Sequence, residues 1–160
     1  NLVGNLFRHS DHFYDAFGGA VVTHVVAALQ DPDRHVRKFA CFAVGNAAFH
    51  SSALYGQLAT ALVPLASILG GSGEGAEGAG DDLKTMTNAA GALGNLARNG
   101  SGLASGLAKA GAVSCLSRAV ADCSRGMPGA SRQRQQELGG LVRIALFSLG
   151  NLCAHAALRG

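Results

Sequence analysis

At 160 residues the chain is long enough for one buried core, and 48% hydrophobic content does not suit a disordered chain. The formal net charge of +3 is mild and the basic residues form no dense cluster, which argues against a nucleic-acid partner. With 23 glycines, no tryptophan and 3 prolines, the composition favours helices packed closely through small side chains.

Residues 1–9 read as the end of a helix, and Ser10-Asp11 can cap the short helix of HFYDAF that follows. Gly18-Gly19 breaks it. Residues 20–30 place Val21, Val25, Ala28 and Leu29 on one helical face. Asp31-Pro32-Asp33 is a strong helix start: Asp31 can accept a backbone N–H bond, Pro32 fits the first helical position, and Asp33 suits the positive end. That helix is predicted to run to about His50, burying Val36, Phe39, Ala40, Ala43, Val44 and Ala47. Ser51-Ser52 open a short helix to about Leu58, a second continues to about Leu69, and a long one spans about 82–99. Ser101 opens the next short helix, Gly111-Ala112-Val113 start the second, and a long helix runs from about Gln136 to His155. Segments 71–80 (GSGEGAEGAG) and 123–135 (CSRGMPGASRQRQ) read as flexible insertions at equivalent junctions, hence on one edge of a stack.

One phrase recurs through these helices: LVGNL at Gly4-Asn5, AVGNA at Gly45-Asn46, ALGNL at Gly94-Asn95 and SLGNL at Gly150-Asn151. Its intervals are 41, 49 and 56 residues, and the two insertions account for the longer ones. A recurrence of about 40 residues marks stacked helical repeats. The predicted fold is all-α: a right-handed helical solenoid with one partial and about three nearly complete repeats, forming a single domain over 1–160. Both ends fall inside or directly after a repeat, without a polar cap, so a segment of a longer protein is expected. Glycine costs roughly 1 kcal/mol against alanine inside a helix. Four glycines at equivalent helical places therefore predict close helix approach.

The third helices resemble those of armadillo repeats, whose pattern is D-x-x-V-R-x-x-A-x-x-A-L-x-N-L. DRHVRKFACFAVGNA at 33–47 fits it closely, and KTMTNAAGALGNL at 84–96 and VRIALFSLGNL at 142–152 fit it well. In wording, GNLFRHSDHFY (4–14), VRKFACFAVGNAAFH (36–50), NAAGALGNLARN (88–99) and RIALFSLGNLCAH (143–155) resemble the C-terminal armadillo region of the Fused family of serine/threonine kinases. That resemblance implies a link to motile cilia, to assembly of the axonemal central apparatus and, in some animals, to Hedgehog signalling. The kinase domain would lie elsewhere, since the chain holds no glycine-rich nucleotide loop before a catalytic lysine, no HRD and no DFG.

In armadillo proteins that bind extended peptides, the third-helix asparagine lines the concave groove and bonds the ligand main chain. The resemblance carries that role to Asn5, Asn46, Asn95 and Asn151. A carboxamide both donates and accepts, which suits a peptide backbone. Repeats packed roughly 10 Å apart would match about three residues of an extended strand. The same asparagines could instead bond neighbouring helices and fix repeat geometry. Four residues after each stands His9, His50, Asn99 or His155, on the same helix face. These can line the groove or bond the unsatisfied carbonyls at helix C-termini. Nuclear-import receptors of the class pair the asparagine with a tryptophan one turn earlier. None exists here, which counts against a transport adaptor.

Neither a metal nor a cofactor is expected. The imidazoles of successive repeats are too far apart for one ion. Cys41, Cys115, Cys123 and Cys153 lack ligand spacing, and Cys41 and Cys153 read as buried thiols. Arg8, Arg37, Lys38 and Arg98 could meet an acidic surface such as the tails of tubulin. Ser131-Arg132-Gln133-Arg134 is a small basic loop. The leading expectation is a non-catalytic protein-interaction scaffold of a ciliary or axonemal protein. Its partners would be axonemal or microtubule-associated proteins rather than nucleic acid, membrane or small molecules. It would reside in the cytoplasm and cytoskeleton, at the axoneme. The rival is a regulatory or substrate-recruiting region of a Fused-type kinase.

Overall fold

The computed structural model describes residues 2–17, 19–70 and 82–158. They form ten α-helices and four single 3-10 turns, with no strand among the described residues. A lone third helix, α1 (Leu2–Leu6), is followed by three units of short, middle and long helix. These are α2 (Tyr14–Phe17), α3 (Ala20–Ala27) and α4 (Arg34–Ala47); α5 (Tyr55–Leu58), α6 (Leu62–Gly70) and α7 (Leu83–Arg98); and α8 (Ala104–Lys109), α9 (Ala112–Gly126) and α10 (Arg132–Cys153). The long helices stack in the order α1, α4, α7, α10, and α6 packs on α9 behind them. One continuous core runs through the stack, built on leucines such as Leu58, Leu65, Leu93, Leu116 and Leu141. A repeat cannot bury its apolar face alone, so the core is shared between neighbours.

Each complete long helix starts on a side-chain cap. Asp33 accepts from the His35 amide at 2.7 Å, Asp82 from the Thr85 amide at 2.7 Å, and Ser131 from the Arg134 amide at 3.3 Å. Such caps satisfy N–H groups that the first turn leaves unbonded. In the first case the helix begins two residues later than the sequence suggests, because Asp31 caps a turn to Asp33 instead. Between α8 and α9 the chain turns at Gly111, φ +70°, where a side chain would be strained.

Three expectations need correction. Val36 and Phe39 are exposed rather than buried, at 37% and 42%. Their spacing from Asn46 puts them toward the open side of α4, and α1 meets that helix further along, at Phe42, Ala43 and Asn46. In α3 the buried side chains are Val22 and Val26, with Val21 and Val25 half-buried beside them. The insertion expected at 123–135 is mostly helix: α9 runs to Gly126 with Cys123 buried, α10 begins at Arg132, and 127–131 form the turn. The arginines and glutamines of 132–136 favour helix, so the added length extends two paired helices. The other expected insertion, 71–80, lies outside the described residues.

The glycines before the asparagines divide by surroundings. A Cβ on Gly94 would sit 2.7 Å from Ser148 Cβ and 2.8 Å from Ser148 Cα, where backbone would have to yield. On Gly4 it would meet the Phe42 ring at 2.7 Å. On Gly45 it would find Ala92 at an ordinary 3.5 Å, and on Gly150 nothing within 4 Å. Close approach therefore requires glycine at Gly94 and Gly4 and only permits it elsewhere.

Gly94→Ala should lower stability by about 1–3 kcal/mol through overpacking. Gly45→Ala should be neutral or stabilising by up to about 1 kcal/mol. Urea unfolding of both variants, read by circular dichroism, separates the two; equal losses would refute the difference in spacing. A second expectation concerns Asp82. Burial is the largest single influence and pushes its carboxyl pKa up. The bonds from the Thr85 amide and hydroxyl, with Lys38 and Arg34 nearby, together hold it below the ordinary value. A lowered folded pKa means stability present above the unfolded value and lost as pH falls through the folded one. The melting-temperature gap between wild type and Asp82→Asn should thus exist at neutral pH and close below about pH 4.

Candidate partner-binding surface

The asparagine at the end of each long helix bonds the repeat before it. Asn46 Nδ2 donates to the Gly4 carbonyl at 2.8 Å, Asn95 Nδ2 to Gly45 at 2.9 Å, and Asn151 Nδ2 to Gly94 at 3.2 Å. All three carboxamides are half-buried, whereas Asn5 is exposed and has no preceding helix among the described residues. Each acceptor is the glycine of the earlier repeat's own Gly-Asn pair. A carboxamide carries two N–H donors and one acceptor oxygen. One N–H is used in stacking, and the other N–H and the oxygen have no bond among the described residues.

The second row does the same at the helix ends. His50 Nε2 donates to the Arg8 carbonyl at 3.0 Å, and Asn99 Nδ2 reaches the Ala48 and Phe49 carbonyls at 3.1 Å each. His155 Nε2 donates to the Ala97 carbonyl at 2.6 Å. These carbonyls lie at or just past the C-terminal turn of the preceding long helix, where four are left without intrahelical donors. Capping thus crosses from one repeat to the next. His9, before the first complete unit, is exposed and has no bond among the described residues.

Two tyrosines not singled out from the sequence complete the arrangement. Tyr55 in α5 donates its hydroxyl to the Asn95 carbonyl at 2.6 Å and accepts from the Asn99 amide at 3.2 Å. Tyr14 in α2 donates to the Asn46 carbonyl at 3.2 Å. Burial is the main cause that pushes both phenol pKa values up. The available signal was spacing: HSDHFY and HSSALY each put a tyrosine nine residues after the asparagine, where the third repeat has Ala104. Asn88 and Ser148 were likewise unmarked. Asn88 Nδ2 donates to the Lys38 carbonyl at 3.2 Å, and the buried Ser148 hydroxyl donates to the Ala90 carbonyl at 2.8 Å.

What the stack does not use is apolar and cationic. Phe39 lies 42% exposed and Phe147 58% exposed, the latter one turn before Asn151. Lys38 lies over the Phe39 ring at 5.2 Å, and Arg98 over the Phe49 ring at 4.2 Å. Arg37 is occupied locally, donating to the Asp31 and Pro32 carbonyls. Cys41, Cys115 and Cys123 are buried, but Cys153 is exposed, which corrects the sequence expectation. Its counterpart in α7, Ala97, is covered by α10, and α10 has no later long helix beside it among the described residues. No grouping of His, Cys, Asp or Glu able to hold a metal occurs among the described residues, and no helix there is long and apolar enough to cross a membrane.

No family model matches the chain. The serine/threonine-protein kinase TIO of Arabidopsis thaliana is 41% identical over 75 residues, which is 47% of this chain and 6% of that protein's length. Among solved structures, computationally designed armadillo repeat proteins for modular peptide recognition superpose with a TM-score of 0.69 at 20% identity, over 96% of this chain and 56% of theirs. A designed armadillo repeat protein in complex with the peptide (KR)4 gives 0.59 at 19% identity, over 89% and 54%. A further designed armadillo repeat protein gives 0.60 at 19% identity, over 94% and 72%. The fold is therefore the all-α armadillo solenoid expected from the repeated phrase. At these identities the likeness carries the fold alone. The partial kinase match agrees with the Fused-type resemblance in the sequence.

Asn95→Ala, Asn151→Ala and Asn46→Ala should each lower stability by about 0.5–1.5 kcal/mol, the net worth of one such bond, whereas Asn5→Ala should be silent. Tyr55→Phe leaves the Asn95 carbonyl and the Asn99 amide without a partner and should cost about 1–3 kcal/mol. Chemical denaturation of the five variants checks the order; an Asn5→Ala loss equal to the others would contradict the inter-repeat assignment.

Proposed function

We propose that this solenoid is a non-catalytic protein-interaction scaffold within a larger protein of the Fused kind, binding partner proteins on the open side of its long helices. The observation that carries the reading is apolar area the fold does not use: Phe39 and Phe147 stand exposed on α4 and α10, on the side of the half-buried asparagines. Isolated exposed apolar residues are ordinary, but large aromatics beside unspent amide groups suit a partner main chain and its side chains. The remaining N–H and the oxygen of Asn46, Asn95 and Asn151 are the groups such a main chain would meet, with His50, Asn99 and His155 alongside. A ciliary location in the axonemal central apparatus, with axonemal partners, is proposed on the resemblance of the motifs to the Fused family.

The partial identity to a serine/threonine-protein kinase favours a second reading, in which the solenoid is the regulatory or substrate-recruiting part of a kinase of that type. Identical chemistry at the surface would serve either role. What differs is whether the bound partner becomes phosphorylated.

The chain holds three lysines, and they sit apart: Lys38 on α4, Lys84 on α7 and Lys109 at the end of the short helix α8. Amine-reactive cross-linking of the protein in its native assembly should join partner proteins to Lys38 and Lys84 in preference to Lys109. Cross-links from Lys109 alone would reject the open side as the binding face. A phosphorylated partner that loses its modification when the full-length protein is removed would favour the regulatory reading.

A further inference from the structure

The first halves of α7 and α10 border a cleft of about 640 Å3 that neither polar row reaches. Lys84 at its edge is eleven residues from Asn95, about 16 Å along the helix. Leu83, Met86 and Ile144 line the cleft with partly buried apolar side chains. Gly140 on α10 opens it further, with nothing within 4 Å of where its Cβ would be.

Charge in the cleft is unevenly spent. Asp82 accepts from the Thr85 amide and hydroxyl at 2.7 and 2.9 Å as the cap of α7. Glu137 lies 3.7 Å from Arg134 and accepts from Gln133 at 3.3 Å. Both carboxylates are thus occupied within the fold. Lys84 and Arg143 are exposed and have no bonded or paired partner among the described residues. The unmatched charge is positive, beside an apolar floor. Part of this cleft exists because α10 starts at Arg132, well before the position equivalent to the start of α7.

We propose that this cleft binds an acidic, extended segment of a partner protein, with an aliphatic side chain over Met86 and Ile144 and carboxylates against Lys84 and Arg143. The proposal rests on the scaffold reading and gives one partner segment its chemistry. Alternating acidic and aliphatic residues would satisfy it, because an extended strand sends successive side chains to opposite faces.

Methyl groups make the test internal. The chain has two methionines and two isoleucines: Met86 and Ile144 in the cleft, Met127 behind α10 near Gly139, and Ile68 in the core. In the protein labelled at methionine and isoleucine methyls, a short Glu-Leu alternating peptide should shift the Met86 and Ile144 signals and leave Met127 and Ile68 in place. A Lys-Leu peptide should shift none. Lys84→Gln and Arg143→Gln should each weaken the Glu-Leu peptide by roughly twofold to fivefold, the scale of exposed ion pairs. Added salt should weaken it further. Gly140→Leu should fill the cleft and abolish the shifts. Gly140→Ala should keep them and serves as the folding control. Equal binding of the Lys-Leu peptide, no shift at Met86 and Ile144, or full binding by Gly140→Leu would overturn the proposal. So would an oligouridylate that moves the same two signals more strongly than the peptide. Partner cross-links confined to Lys38 would reject this cleft and leave the scaffold reading standing.

Discussion

The structure depends on one contact made three times: an asparagine amide reaching across to the glycine carbonyl of the preceding repeat. Two helix backbones must come near for a side chain that short to bridge them. Glycine makes this possible where the fit is tightest, at Gly94 against Ser148. Around that contact the other bonds fall into place. The residue four positions on caps the preceding helix, and the tyrosine on the short helix of the same repeat bonds that asparagine's own carbonyl, Tyr14 to Asn46 and Tyr55 to Asn95. A single residue thus faces backward through its side chain and inward through its main chain. That coupling sets the spacing between repeats and the seat of the helices within each.

A division of labour follows along each long helix. Its C-terminal end carries the asparagine that bonds the preceding repeat, just before the residue that caps the preceding helix. Among the described residues no buried side-chain nitrogen or oxygen lacks a hydrogen-bond partner, as a stable interior requires. The residues nearer its start and middle include cations and apolar side chains left exposed, among them Phe39, Lys84 and Arg143. Rigidity at one end makes variety at the other tolerable, because the helices are already positioned.

Much of this was legible in the sequence. The Gly-Asn phrase gave the repeats, their order and the long helices to within a few residues, because caps and glycine turns are local signals. It also marked the asparagines and the row four residues later. What it could not give was the partner of each donor. A carboxamide that bonds a peptide and one that bonds a neighbouring helix have the same spacing. Val36 and Phe39 fitted an apolar stripe, but periodicity does not say which side of a helix its neighbours leave open. The glycines, serines and proline within 123–135 suggested a long insertion, where the structure has only a turn at 127–131. The arginines and glutamines of 132–136 that follow favour helix and start α10 at Arg132. Tyr14 and Tyr55 escaped because only two of the repeats carry the residue.

The ladder has a sense. Every rung sends its hydrogen backward, from a later repeat to an earlier one, so the two edges of the stack are chemically unlike. The side of a repeat that faces the earlier one offers amide donors, and the side that faces the later one offers glycine carbonyls. Two repeats set like side to like side would bring amide against amide, or glycine carbonyl against glycine carbonyl, and would not form a rung. Only a head-to-tail order of repeats offers donor to acceptor. The direction of the stack is therefore written into the same amide that holds each pair of repeats together.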